Sequence, residues 1–291
     1  MGRDTDAMNN TWGFEPPEVT HVILSHAHID HSCLLPKLVK DGFTGNIYCT
    51  PATRELSEVL LEDSAKIQED DTRYSNKKRA LAGEPLLEPL YDADDARAVS
   101  GHMKATEYGR WTVVDENVEV LFTDAGHIIG SAAVHLKIKE SGRTIRLSFS
   151  GDVGRYRDAI LRSPEVFPQA DYIIIESTYG DKLHDKFTTS PDILLEWINK
   201  TCIQRKGKLV MPAFSVGRTQ ELLYALNQLE IENRLPALDY YVDSPLSIKA
   251  TELIKRYPQY FNRTIRRLLE NDNDVFSFRG LKYINSAEES K

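Results

Sequence analysis

The stretch "LSHAHIDHSCLLP", residues 24–36, places three histidines and one aspartate within six consecutive positions. His26 and His28 are two residues apart, so on an extended segment their side chains point the same way and can converge on one ion. Asp30 and His31 follow in the predicted turn, where they can reach a neighbouring ion. Neutral imidazole and carboxylate are ligands that zinc prefers. The stretch therefore predicts a metal site, with room for a second ion nearby.

Two later stretches supply further ligand types. "DAGHIIGSA" (124–132) carries His127 between two glycines, and "SFSGDVGR" (148–155) carries Asp152 between two more. Both follow predicted strands, and glycine allows the backbone to approach an ion closely. Alone, His127 is compatible with an ordinary loop residue and Asp152 with an ordinary turn or capping residue. Together with the first cluster they favour one shared metal site.

The composition restricts the class of protein. The chain has 291 residues, is 41% hydrophobic and has a formal net charge of −8. This charge argues against binding nucleic acid over the whole surface, although it allows a local basic groove. The three cysteines are widely spaced and form no CxxC pair, which favours a reducing compartment over a disulfide framework. No apolar run is long enough to span a bilayer and the N-terminus lacks a signal-peptide core, so we expect a cytoplasmic protein without a membrane partner.

The order of predicted elements indicates an α/β fold class. Buried strands are expected at 20–25 and 170–177, a helix at 51–71, and a polar connection at 77–95. A strand-rich block spans 118–152. From about residue 190, helices alternate with strands predicted at 208–214 and 238–244, which is typical of βαβ units. We therefore expect a domain boundary near residue 180.

The order of the ligand-type residues resembles that of the metallo-β-lactamase superfamily. The resemblance implies an αββα sandwich and two zinc ions as cofactors. It implies that His26, His28 and His127 hold the first ion. Asp30 and His31 would serve the second ion, with Asp152 bridging the two.

Three later segments resemble the β-CASP branch of that superfamily, which includes ribonuclease J and the endonuclease subunit that processes pre-mRNA 3′ ends. These segments are "IIESTYGDKLH" (174–184), "PAFSVGRTQELLYAL" (212–226) and "YYVDSPLSIKATEL" (240–253). The resemblance runs from about Trp12 to the end. It implies cleavage of RNA phosphodiester bonds by metal-bound hydroxide, in endo or exo mode, with catalytic roles for Asp30 and Glu176. Arg218 lies at a predicted helix start, where it could bind a phosphate or make a surface ion pair.

The resemblance also leads us to expect an incomplete fold. The family pattern has strands before residue 20, and the sequence predicts none there. It also has two later histidine motifs, which are missing because no histidine follows His184. We interpret residues 1–180 as an incomplete metallo-β-lactamase domain. Residues 181–291 are interpreted as a partial β-CASP α/β domain that lacks its C-terminal part and the return segment. Only the first zinc site would have all its side-chain ligands, and the chain alone is expected to be incomplete as an enzyme.

Alternative functions remain at this point. They are a non-catalytic scaffold or inactive fragment, and another hydrolase with the metallo-β-lactamase fold, such as a thioesterase. RNA is the expected partner, with single-stranded DNA and a homodimer left open. His21, His102 and His135 have no motif support and are interpreted as structural. His184 is left open between a position near the site and an exposed one.

Overall fold

The computed structural model describes residues 9–183, 191–270, 274–286 and 288–290. The chain divides into two compact units. The first consists of Met1–Ala125, Gly130–Asp152 and Glu165–Ile174. The second consists of Gly126–Ile129, Val153–Pro164 and Ile175–Lys291.

The described residues of the first unit form two β-sheets. The smaller sheet is parallel, with strand order β1-β2-β3, and its strands are β1 (His21–Ile23), β2 (Asn46–Cys49) and β3 (Met103–Ala105). The larger sheet has the order β4-β5-β6-β7-β8 and comprises β4 (Thr112–Val113), β5 (Val118–Asp124), β6 (Ala132–Glu140), β7 (Arg143–Phe149) and β8 (Tyr172–Ile174). Strands β4 to β7 are antiparallel neighbours, whereas β8 pairs in parallel with β7.

The α-helices of the first unit include α1 (Ile29–Ser32), α2 (Leu35–Lys40), α3 (Pro51–Ala82) and α4 (Ala93–Ala98). Short 3₁₀ turns occupy Pro16–Glu18 and Val99–His102. The Thr50 hydroxyl caps α3 by accepting the N–H of Thr53 at 3.2 Å, and Gly83 ends the helix with a φ of 69°.

Helix α3 corrects one prediction. It was expected to end near residue 71, with a polar connection from 77, but it continues through Ala82. Lysine, arginine and alanine between residues 77 and 82 are strong helix formers, and no proline occurs between Pro51 and Pro85. The added turns are mostly exposed, so the apolar stripe used for the prediction ends before the helix does.

The hydrophobic core of the first unit lies in two layers. One cluster packs helices α2, α3 and α4 against the small sheet, through residues such as Leu38, Leu61 and Ile47. The other packs the two sheets together and contains Tyr48, Val120, Phe122, Ala132 and Val134. The order is therefore helix, sheet, sheet, and the site residues follow the ends of strands in these two sheets.

Strand β8 also differs from its prediction. An eight-residue buried strand was expected at 170–177, but the strand has three residues and they are exposed by 55–62%. Because β8 is the edge strand of the larger sheet, neither its free edge nor its faces are covered as in a central strand. An apolar run predicts a strand but not its place in the sheet.

The second unit is mainly helical. Its α-helices are α5 (Pro191–Ile198), α6 (Arg218–Ile231), α7 (Pro245–Lys255) and α8 (Arg263–Leu269), and α5 runs on into a π-helix at Asn199–Gln204. A 3₁₀ turn lies at Pro258–Tyr260. Strands β9 (Tyr240–Val242) and β10 (Leu281–Tyr283) form a two-stranded parallel sheet.

The strand predicted at 208–214 is wrong. All of these residues are described, and they form no strand. Val210 and Phe214 are 81% and 83% exposed, and Pro212 offers no backbone N–H to a ladder. The core of this unit instead lies on α6 and α7, where Leu223, Leu226 and Leu253 are buried.

No helix in the described part of the chain combines the length and apolar character needed to cross a membrane.

Candidate metal centre

The segment that carries the first histidines is tied to the small sheet. Strand β1 ends at Ile23, and the N–H of Leu24 donates to the carbonyl of Tyr48 at 2.9 Å, which keeps the chain extended beyond the strand. His26 is fully buried and its ring centroid lies 5.0 Å from that of His28. His28 directly precedes α1, so Asp30 and His31 lie on that short helix.

A short loop from Gly126 to Ile129 carries His127. Its ends are fixed in the first unit, because the N–H of Ala125 donates to the carbonyl of Ser131 at 3.0 Å. The hydroxyls of Thr50 and Thr53 donate to the carbonyl of Gly130 at 2.6 and 2.8 Å. Gly130 itself has a φ of 78°, a conformation that favours glycine. The hydroxyls at the start of α3 thus fix the backbone of Gly130, the residue that directly follows the loop.

The structure brings the six predicted ligands together in two overlapping groups. The first group is His26, His28, His127 and Asp152, and the second is Asp30, His31 and Asp152. Within each group, one ligand atom per residue lies within 4.8 Å of the others.

Asp152 belongs to both groups, and its two oxygens face different histidines. Its Oδ2 lies 3.7 Å from His26 Nε2, and its Oδ1 lies 3.3 Å from His31 Nε2. The second histidine is also 3.8 Å from a carboxylate oxygen of Asp30. A carboxylate in this position can contact two adjacent cations at once.

Ser25 is a site residue that sequence reasoning missed. Its Oγ lies 3.1 Å from Nδ1 of His26 and 3.4 Å from Nδ1 of His31. A hydroxyl at Nδ1 directs the other ring nitrogen, Nε2, towards Asp152. Polar groups of this kind commonly orient metal-binding imidazoles. The available signal was its position, directly before the first histidine of the cluster.

The donor atoms fit a divalent metal ion. Three imidazoles and a carboxylate are a common ligand set for a tetrahedral ion, whose ligands lie about 3–4 Å from one another when the bonds are about 2.0–2.2 Å. The donor atoms of the first group all lie within 4.8 Å of one another, which is compatible with this ligand set. The second group offers three ligands, so an ion there would keep more of its water.

The Glu176 side chain forms a hydrogen bond with the backbone next to Asp152. Its Oε1 accepts the N–H of Val153, the residue after Asp152, at 2.6 Å. This bond fixes the backbone next to the shared carboxylate. The predicted catalytic role of Glu176 stays a prediction, and His184 lies outside the described residues.

Arg218 is the first residue of α6 and makes an ion pair. Its Nη1 donates to Oε2 of Glu221 at 2.6 Å, and Arg155 approaches Oε1 of the same carboxylate at 3.8 Å. Burial raises the pKa of Glu221, although the two arginines act in the opposite direction. A phosphate contact by Arg218 stays a prediction.

The three histidines that were interpreted as structural lie outside both ligand groups. His135 is 2% exposed, and its ring nitrogens lie 2.8 Å from Thr123 Oγ1 and 2.7 Å from Ser148 Oγ. Burial lowers the pKa of His135 to about 4, so it is neutral at pH 7. His102 Nδ1 lies 2.9 Å from the carbonyl of Gly45, and His21 Nδ1 lies 2.9 Å from the hydroxyl of Thr20.

Comparison with family models identifies the family of this chain. The model of the metallo-beta-lactamase superfamily matches residues 2–200. The chain belongs to this superfamily. A second family model, the Beta-Casp domain, matches residues 219–291 of this superfamily member.

Two curated relatives match all or most of this chain and are themselves longer than it. Ribonuclease TTHA0252 of Thermus thermophilus is 33% identical over 291 residues, which cover all of this metallo-beta-lactamase superfamily chain and 62% of the relative. The transcription termination factor FttA of Methanosarcina mazei is 29% identical, over 93% of this chain and 40% of the relative. The chain thus spans between two fifths and about three fifths of the length of these two relatives. Among solved structures, a subclass B3 metallo-beta-lactamase from a soil metagenome library aligns with 47% of this chain and 43% of its own, at 17% identity and a TM-score of 0.28.

Proposed function

We propose that this chain carries the metal site of a zinc-dependent hydrolase that cleaves phosphodiester bonds in RNA. The observation that carries the proposal is the pair of ligand groups that share Asp152. Zinc is favoured because three of the four ligands in the first group are imidazoles, whereas magnesium and calcium prefer sites built from oxygen ligands.

The proposed roles follow from the positions of the donors. His26, His28 and His127 would hold the first ion, Asp30 and His31 the second, and Asp152 both. When bound, such ions lower the pKa of a coordinated water and neutralise charge on a phosphate. Ser25 would keep Nε2 of His26 and His31 directed towards the ions. Glu176 would keep Asp152 in place through the N–H of Val153.

RNA is favoured as the substrate by two observations. One of the relatives is named a ribonuclease and another a transcription termination factor, and the chain matches the Beta-Casp domain. In a chain with a net charge of −8, bound cations and nearby arginines would supply the local positive charge that a phosphate needs. Arg218, 40% exposed at the start of α6, is a proposed phosphate contact.

A cleavage assay with the zinc-loaded chain tests this proposal. The substrates are single-stranded RNA labelled at the 5′ end, the same sequence as DNA, and a thioester. We expect slow RNA cleavage that disappears in Asp152→Asn, with internal products indicating endo cleavage and mononucleotides indicating exo cleavage. If the chain binds RNA, but RNA breaks down at the same rate with the unaltered chain and with Asp152→Asn, the scaffold alternative is supported. Hydrolysis of the thioester alone would support another superfamily activity.

A further inference from the structure

A tripeptide, Val-Gly-Arg, occurs twice in the second unit, at 153–155 and 216–218. Each glycine lies against the loop that carries His127. A Cβ at Gly154 would lie 1.7 Å from the carbonyl oxygen of Gly126, so the two backbones are in direct contact and only glycine fits. A Cβ at Gly217 would lie 3.7 Å from a methyl carbon of Ile128. An arginine therefore follows each of the two glycines that adjoin this loop.

A single carboxylate joins the two arginines. Oε2 of Glu221 accepts Nη1 of Arg218 at 2.6 Å, and Oε1 lies 3.8 Å from Nη1 of Arg155. The Glu221 side chain is 20% exposed, whereas those of Arg155 and Arg218 are 52% and 40% exposed. The carboxylate therefore lies behind two guanidinium groups that reach solvent, and it lines the same cavity as His127.

We infer that Arg155 and Arg218 form a two-arginine clamp for a backbone phosphate of the substrate, with Glu221 as the positioning residue that fixes both side chains. This inference rests on the proposed RNA hydrolase function and adds two residues to it. A guanidinium has five N–H donors in a planar fork, so it can meet a carboxylate on one side and a phosphate on another.

The charges agree with a phosphodiester ligand. Arg155, Arg218 and Glu221 sum to one positive charge, from two arginines and one carboxylate, which a phosphodiester group balances. Asp158 also lines the cavity and adds a negative charge that acts on Glu221. Its Oδ1 accepts the N–H groups of Ile160 and Leu161, each at 2.8 Å, which fixes this carboxylate within its own turn. Burial raises the pKa of Glu221 because it disfavours the charged carboxylate, and the two neighbouring arginines reduce this effect.

Binding of a short, fluorescently labelled single-stranded RNA to the zinc-loaded chain tests the clamp. Arg155→Ala should weaken binding about tenfold, or about 1.4 kcal/mol, as expected for the loss of one hydrogen bond between charged groups at a partly exposed site. It should also reduce the slope of log K against log salt by about 0.7, the value for one phosphate contact on a single strand. Arg155→Lys, which keeps the charge but lacks the fork, should recover only part of the affinity. Arg234→Ala is the control, since Arg234 is an exposed arginine of the same unit, paired with Glu232 and Asp192.

Glu221→Gln separates positioning from simple charge. If the negative charge of Glu221 only repelled the RNA phosphates, its removal would tighten RNA binding. A positioning role predicts binding about threefold weaker, and smaller additional losses for Arg155→Ala and Arg218→Ala in that background. Melting temperatures confirm that each variant is folded.

Three results would overturn the clamp: an Arg155→Ala affinity equal to that of Arg234→Ala, tighter binding by Glu221→Gln, or no RNA binding by the unaltered chain. Cleavage is read separately. RNA that is bound through Arg155 but not cut would count against the proposed hydrolase activity, and RNA that is cut with no contribution from Arg155 would count only against the clamp.

Discussion

The two ligand groups share Asp152 but differ in burial and in number of donors. In the first group His26 is fully buried and four residues contribute. In the second, three residues contribute, and the Asp30 side chain is 75% exposed. Four ligands grouped around one buried histidine are largely held in place before the ion arrives, whereas an exposed carboxylate must be ordered by it. The comparison predicts one tight and one weak metal site.

Changing the shared residue should have the largest effect. Asp152→Asn keeps the shape of the side chain but removes the charge that faces both groups. We expect both zinc affinities to fall by at least about 100-fold, since the loss of an outer hydrogen-bond partner alone typically costs about 10–100-fold. Competition with a chromogenic chelator measures both affinities. The control is Asp239→Asn, an exposed aspartate paired with Lys282, and a loss confined to one site would show that Asp152 does not bridge.

Changing a residue of one group should affect one ion. His127→Ala should weaken the tight site by about 100-fold or more, while His31→Ala should weaken mainly the second site. The same chelator titration separates these effects, with His21→Ala as a control outside both groups. If the two variants lower the same affinity equally, the division into two groups is wrong.

Changing His135 should have the smallest effect on metal binding, because this histidine lies in neither ligand group. It is buried, as His26 is. His135→Gln should leave both zinc affinities unchanged. It should, however, alter stability at low pH. The folded pKa of about 4 lies below the unfolded value of 6.5, so the unfolded chain takes up the proton first.

The stability contributed by neutral His135 is therefore complete above pH 6.5 and declines as the pH falls towards 4. The full loss is about 3 kcal/mol, because the folded pKa of about 4 and the unfolded pKa of 6.5 correspond to proton affinities that differ by this free energy. Urea unfolding of the metal-free chain at several pH values measures it, and His135→Gln should show a shallower decline. Parallel declines in the two proteins would mean that other groups carry the pH dependence.

Sequence patterns predicted which ligand-type residues lie close together better than they predicted the strands. The strand-rich block predicted at 118–152 contains β5, β6 and β7. His26 and His28, whose spacing predicted that they converge, lie in one ligand group. The exposed β8 and the strand expected at 208–214 show the limit, because an apolar run does not reveal whether a neighbouring element covers it. Ser25 was missed because a serine has no signature of its own until the ring nitrogens beside it are placed.

X-ray absorption at the zinc edge of the chain loaded with one equivalent of zinc tests the central claim most directly. The claim is that His26, His28, His127 and Asp152 hold one ion. We expect only nitrogen and oxygen neighbours at about 2.0–2.2 Å, with imidazole scattering from three rings, reduced to two rings in His127→Ala. A sulfur neighbour at about 2.3 Å, or a spectrum that His127→Ala leaves unchanged, would contradict the claim.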